Sequence, residues 1–205
     1  SYIFFIRNTM QFLSFPRSYQ DADITVNGKE YLDEALAKKR GVILVTGHFG
    51  VWEIMVAWFG LNRYSMLAVG QKQKNSGADI FVNQLRENSW IKMIPRKSSL
   101  EFMYEALASN NILTLASDQD AKNRGIFVKF FSLPASTPKG AGRFHLEYGS
   151  PLIFVTCHLE KPNNHVLDIL PVPADSNSNI ETITQSFTLM LEKIITAYPE
   201  QYFWF

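Results

Sequence analysis

The feature that most constrains this chain is a series of short, unbroken apolar runs, each ending in a polar turn and followed by a helical pattern. Residues 42–45 follow Gly41 and end at the break Gly47-His48-Phe49-Gly50. Residues 112–116 end at Ser117-Asp118-Gln119-Asp120. Runs of this kind are covered on both faces, as in the parallel strands of α/β proteins. Residues 64–69, 91–94, 126–131, 152–159 and 166–170 read as further strands, and helical patterns occupy 28–40, 51–61, 78–88, 98–108, 137–148 and 180–197. Ser98 and Glu101 have the spacing of a capping box. The Pro/Ser/Thr stretch before Thr137 and the segment Lys161-Pro162-Asn163-Asn164 read as turns. The alternation predicts an α/β fold: a single-domain α/β sandwich over residues 1–205, with a largely parallel central sheet flanked by helices.

Composition matters here for what it excludes. With 46% apolar residues in 205, the chain can bury a core without staples, and its single cysteine, Cys157, excludes an internal disulfide framework or a multi-cysteine metal site. A net charge of +1 argues against a general nucleic-acid binder. The charge is uneven, however. Between Arg63 and Arg143 there are twelve basic and six acidic residues, so this stretch carries +6 and the remainder −5. A basic middle fits phosphate-bearing substrates or an anionic membrane surface. Residues 1–16 read as an aromatic-rich helix, suited to a bilayer interface or to capping the core.

In parallel sheets, ligands gather at the carboxyl ends of the strands. Two loops there carry polar residues, 47–53 and 117–125. His48 and Glu53 form an H-x4-E spacing at a strand-to-helix junction. If His48 precedes the helix and Glu53 lies in its early turns, the carboxylate can fold back to fix the imidazole tautomer and raise its basicity. With no Ser or Cys nucleophile in the motif, the natural proton source is a substrate hydroxyl. Asp118-Gln119-Asp120 has three readings: a metal–nucleotide site of a glycosyltransferase, a structural loop, or a carboxylate that positions His48 or the acceptor. Nucleophile-elbow, P-loop, dinucleotide and zinc-protease motifs are absent from the sequence. Cys157 and His158 point to opposite faces if they share a strand, which argues against a dyad.

Gly47-His48-Phe49-Gly50-Val51-Trp52-Glu53 resembles the H-x4-D/E block of the glycerolipid acyltransferase superfamily, in the form seen in the late acyltransferases of lipid A biosynthesis, the lauroyl and myristoyl transferases. Three further stretches are similar to that family in the same order: Ser117–Asp120 with the segment 125–131, Pro134-Ala135-Ser136-Thr137-Pro138-Lys139-Gly140, and Tyr198-Pro199-Glu200-Gln201-Tyr202-Phe203-Trp204. Ser132 stands where that family commonly has Gly, and the chain stops at Phe205, where members usually continue. The resemblance implies acyl transfer from an acyl-carrier-protein or coenzyme A thioester to a hydroxyl of a phosphorylated glycolipid, most simply a lipid A precursor. An amino-acid lipid or a phosphatidylinositol mannoside is an alternative acceptor, and a non-catalytic lipid-binding role is an alternative use of the fold.

It further implies that His48 is the general base and Glu53 its partner. Arg86 would contact acceptor phosphate or the thioester oxyanion, with Asp118 and Asp120 shaping the site. Backbone amides near Gly50 would receive the oxyanion, and Phe49, Val51 and Trp52 would suit the acyl chain. No metal or resident cofactor is expected, because the thioester is already activated. The expected location is the cytoplasmic face of the bacterial inner membrane. There the protein is peripheral or anchored through a preceding segment, of which residues 1–16 would be the interface helix or the remnant.

Overall fold

The computed structural model describes residues 2–96 and 98–204. Ser1, Lys97 and Phe205 belong to the N-terminal helix, the basic middle and the C-terminal stretch read above, and they lie outside the described residues. The helices are α1 (Tyr2–Leu13), α2 (Arg17–Gln20), α3 (Lys29–Ala37), α4 (Trp52–Leu61), α5 (Ser76–Arg86), α6 (Leu100–Ala108), α7 (Gly140–Tyr148) and α8 (Ile180–Ala197). The strands are β1 (Asp23–Asn27), β2 (Val42–Thr46), β3 (Met66–Gly70), β4 (Ile91–Pro95), β5 (Ile112–Ala116), β6 (Ile126–Phe130), β7 (Leu133–Thr137), β8 (Leu152–Lys161) and β9 (Asn164–Pro171). Among the described residues, seven strands form one sheet in the order β1-β9-β8-β2-β5-β3-β4, and β6 and β7 form a separate hairpin. Every pairing in the large sheet is parallel except β8–β9.

The unbroken apolar strands are explained by helices on both faces. Along β2, Val42 and Leu44 point into one core with Leu32 of α3 and Met55 and Phe59 of α4. Ile43 and Val45 point into the other, with Leu107 of α6, Phe144 of α7 and Phe187 and Leu191 of α8. The two-residue alternation of a strand thus splits one apolar run between two cores.

Three local expectations need correction. Ser99, not Ser98, caps α6, its side chain accepting from the Phe102 N–H at 3.2 Å. The stretch before Thr137 is strand β7, antiparallel to β6 and joined to it by a two-residue turn, so α7 starts at Gly140. β1 is an additional edge strand whose half-exposed alternation, Asp23-Ile24-Thr25-Val26-Asn27, carries too few apolar residues to stand out.

Candidate active site

The site begins with strand register. β2 and β5 are neighbours, with Thr46 paired to Ala116 at their carboxyl ends. The Ser117 N–H continues the ladder by donating to the Thr46 carbonyl at 2.9 Å. Two residues beyond the Thr46–Ala116 pair, His48 and Asp118 are brought side by side. The Asp118 carboxylate takes hold of His48 twice: Oδ2 accepts the backbone N–H at 2.7 Å and Oδ1 accepts from Nδ1 at 2.8 Å. This assigns the proton to Nδ1 and leaves Nε2 as the basic nitrogen. The Asp118 side chain is 3% exposed, whereas that of His48 is 29% exposed and reachable from outside. Burial opposes a charged imidazole, but the hydrogen bond and charge of Asp118 outweigh it, so the His48 pKa stands above its ordinary value. Smaller contributions come from Arg86, which lowers it, and Glu53, which raises it.

Glu53 is therefore not the hydrogen-bonded partner of His48. α4 starts at Trp52, which puts Glu53 in its first turn, facing α5. Arg86 closes on it with two donors: Nε donates to Oε2 at 3.0 Å and Nη2 to Oε1, while the Trp52 indole N–H also donates to Oε1 at 3.1 Å. Planar two-point pairing of this kind is what arginine does best with carboxylates. Trp52 also stands edge-on to His48, ring centres 5.7 Å apart. The site thus holds two linked pairs, His48–Asp118 and Glu53–Arg86.

Other expected roles move as well. The Gly50 N–H donates to the Gln201 carbonyl at 2.9 Å and the Val51 N–H to the Cys157 carbonyl at 2.7 Å, so neither amide is open to an oxyanion. Gly50 instead serves a close approach. Its φ is +63°, and a Cβ there would lie 1.9 Å from the Cys157 carbonyl oxygen. Phe49 and Val51 are buried among core side chains and cannot line a substrate path. Asp120 is exposed, accepts from the Lys122 backbone N–H at 2.8 Å, and lines the larger cavity beside the site with Asp118. Both carboxylates are engaged by protein donors, Asp118 by His48 and Asp120 by the Lys122 turn. Cys157 and His158 face opposite cores, as strand alternation demands, with Cys157 packed among apolar side chains and the His158 ring tilted against Tyr198, ring centres 4.5 Å apart.

Residues not singled out from the sequence fasten the His48 turn. Phe49 bridges Tyr202, and the Phe203 N–H donates to the His48 carbonyl at 3.0 Å. The buried Gln201 amide grips Leu159 at both ends, Nε2 donating to its carbonyl at 2.7 Å and Oε1 accepting its N–H at 2.9 Å. Burial, and then the nearby Asp118 carboxylate, push the Tyr202 pKa up. From the other end of the chain, Asn8 of α1 is buried and donates to the Gly50 carbonyl at 3.0 Å. Phe5 packs on Phe203 at 5.1 Å, and Phe12 lies under the Arg86 guanidinium at 5.4 Å. A lone Asn in an apolar helix and a Gln inside an aromatic tail were the available signals. Opposite this inner face, α1 exposes Ile3, Ile6, Met10 and Leu13 as one stripe at helical spacing.

Two cavities flank these pairs. One of about 480 Å³ lies between the strand ends, α8 and the β6–β7 hairpin, with Asp118, Phe127, Phe130, Phe187 and Leu191 in its wall. The other, about 180 Å³, lies at the ends of β3 and β4 and is lined by Lys72, Asn83 and Arg86. Among the described residues no helix is long and apolar enough to cross a membrane.

The sequence is 29% identical over 185 residues to a lipid A biosynthesis lauroyltransferase of Escherichia coli K12, a match covering 87% of this chain and 59% of that protein. It is 24% identical over 181 residues to a phosphatidylinositol mannoside acyltransferase of Mycobacterium tuberculosis H37Rv, covering 86% and 57%. The chain therefore spans under two thirds of the length of these relatives. In fold it resembles the crystal structure of a 1-acyl-sn-glycerophosphate acyltransferase from Thermotoga maritima, with a TM-score of 0.52 at 13% identity over 96% of this chain and 81% of that one. Residues 1–205 match the bacterial lipid A biosynthesis acyltransferase family, and the chain belongs to it.

Proposed function

We propose that this protein is an O-acyltransferase that moves a fatty acyl chain from an acyl-carrier-protein or coenzyme A thioester to a hydroxyl of a phosphorylated glycolipid. A lipid A precursor is the favoured acceptor. The observation that carries this reading is the His48–Asp118 pair, which leaves Nε2 as the basic nitrogen of a partly exposed ring in a chain of this family. His48 Nε2 takes the acceptor hydroxyl proton as its oxygen attacks the thioester carbonyl carbon. The tetrahedral oxyanion then collapses, the C–S bond breaks, and the thiolate leaves with the proton that His48 returns. Asp118 holds the ring in the required tautomer and stabilises the imidazolium.

Glu53 acts at one remove, by holding Arg86. Arg86 Nη1 makes no hydrogen bond to another described residue, which leaves it for an oxyanion or an acceptor phosphate. The larger, aromatic-walled cavity suits an acyl chain, and the cavity with Lys72 and Arg86 suits phosphate. No step needs a metal or resident cofactor, because the thioester supplies the activation. The site works at the cytoplasmic face of the bacterial inner membrane, with the outward stripe of α1 toward lipid. The mycobacterial relative favours a phosphatidylinositol mannoside as the second candidate acceptor.

The test is to incubate the protein and its His48→Ala variant with acyl-carrier-protein and acyl-coenzyme A donors and each acceptor, and to read products by mass spectrometry. Gain of one acyl chain, lost in the variant, is the expected result. Equal transfer by the variant would sink the mechanism.

A further inference from the structure

The β6–β7 hairpin ends in a turn that is wrong for water. Phe131 and Ser132 have φ of 47° and 67°. A two-residue hairpin turn needs this left-handed pair and is normally filled by Asn-Gly, not by an aromatic. At the turn Leu133 is 70% exposed and Phe131 and Trp204 are exposed as well, while Phe127, nearer the foot of the hairpin, is 66% exposed. Phe131 leans on Trp204 at 6.2 Å. The finger is nevertheless held in place. The Gln185 amide of α8 accepts the Lys129 N–H at 2.8 Å and donates to its carbonyl at 2.9 Å, pairing the free edge of β6.

The chain through the finger is basic, although the exposed Asp120 lies at its start. From 121 to 146 the sequence has five basic residues and no carboxylate. Arg143 is paired with Glu147, while Lys122, Arg124 and Lys129 have no ion-pair partner among the described residues. The exposed apolar tip stands above a basic collar, with Lys129 beside it and Lys122 and Arg124 at the foot of the hairpin. It has the form that enters lipid headgroups, with the apolar tip at the acyl boundary and the cations among phosphates.

We propose that the β6–β7 hairpin is a membrane-docking element that inserts Phe131 and Leu133 into an anionic bilayer, with Lys129 and its neighbours on the headgroups. The proposal rests on the lipid-acceptor reading above for its purpose. Trp204 and Phe203 connect the finger to α1, so that His48 lies between two lipid-facing elements.

The experiment is sedimentation of the 205-residue protein with vesicles of phosphatidylethanolamine and phosphatidylglycerol, and with phosphatidylcholine alone. Wild type should bind the anionic vesicles. Phe131→Asn with Leu133→Ser should lower the partition coefficient at least about tenfold, since both side chains lose apolar contact with lipid, while the melting temperature is held. Lys129→Glu should lower it about fivefold or more at low salt, with the difference vanishing at high salt. Ser132→Gly relieves the turn without removing apolar surface, so it should raise thermal stability and leave binding unchanged.

Acyl transfer in detergent micelles should be unaffected by the Phe131 and Leu133 changes. Binding needs no turnover, so an inactive protein that still binds through the hairpin fails the acyl-transfer reading alone. Wild-type binding to neither vesicle, or hairpin variants that sediment like wild type, would overturn the proposal. So would loss of carrier-protein-dependent turnover in Lys129→Glu with vesicle binding intact, which would assign the collar to an acidic protein.

Discussion

Replacing Asp118 by Asn separates the two jobs of its carboxylate. The carboxylate accepts two hydrogen bonds from one residue, the backbone N–H and Nδ1–H of His48. An amide has one oxygen. If that oxygen stays on the backbone N–H, its NH2 group faces Nδ1 and forces the ring proton to Nε2, the wrong tautomer for a base. If the oxygen moves to Nδ1–H, two donors oppose each other at the backbone. Hydrogen bonds to charged groups contribute about 1.5–3 kcal/mol each, so losing one costs roughly ten- to a hundredfold. The wrong tautomer raises the loss in kcat/KM to roughly 10²–10⁴-fold.

A second readout has an opposite sign. Asp118 is what lifts the His48 pKa against burial, so without the charge burial prevails and the pKa falls. The base must be neutral to work, so the acid limb of the kcat/KM profile should move to lower pH while the plateau drops. The measurement is that profile for wild type and Asp118→Asn, with the imidazole followed by NMR titration. A variant within threefold of wild type, with an unmoved acid limb, would refute the pairing as the source of the base.

Gly50→Ala should destabilise the fold by more than about 3 kcal/mol, since a positive φ and a backbone oxygen both oppose the methyl group; a denaturant titration checks it. Gln201→Leu strands the Leu159 N–H and carbonyl inside the protein and should cost about 2–4 kcal/mol, read in the same titration. Arg86→Lys cannot reproduce the two-point grip on Glu53 and should cut kcat/KM at least about tenfold with little change in melting temperature. His165 is buried, and burial lowers its pKa despite the hydrogen bond from Nδ1 to the Asn163 carbonyl, so its Nε2 is left to accept from Gln11 of α1. Its folded-state pKa lies below the ordinary value of 6.5, so the unfolded chain takes up the extra proton. This contribution to stability should be full above that pH and decline below it; His165→Gln should flatten the decline in thermal melts.

The parts of the fold legible in the sequence are those where burial is absolute. β2 and β5 show themselves because both faces are covered, and their polar exits located the site. The half-exposed edge strand β1 and the Pro- and Ser-bearing β7 were hidden, because pairing with a distant or hairpin partner, not local pattern, makes them strands. His48 and Asp118 were both visible as candidates, but their contact depends on β2–β5 register, which is a long-range fact. The H-x4-E spacing pointed His48 at Glu53, its neighbour in sequence. The helix start at Trp52 instead turns Glu53 toward Arg86, and no local signal reveals that choice. The roles of Asn8 and Gln201 were hidden for the same reason, since each bonds to a residue 42 positions away.

The bridges from Gln201, Tyr202 and Phe203 to the His48 turn also set a schedule for the growing chain. Once β2 and β5 have left the ribosome, His48 can meet Asp118, but the turn between β2 and α4 still lacks the partners for Gly50 and for the His48 carbonyl. Those partners are translated long after α1, whose Phe5 has to wait for Phe203. The His48 ring is therefore fixed in place only when α1 and residues 201–203 close over it, and a chain halted after β9 would hold the His48–Asp118 pair in an unfastened turn.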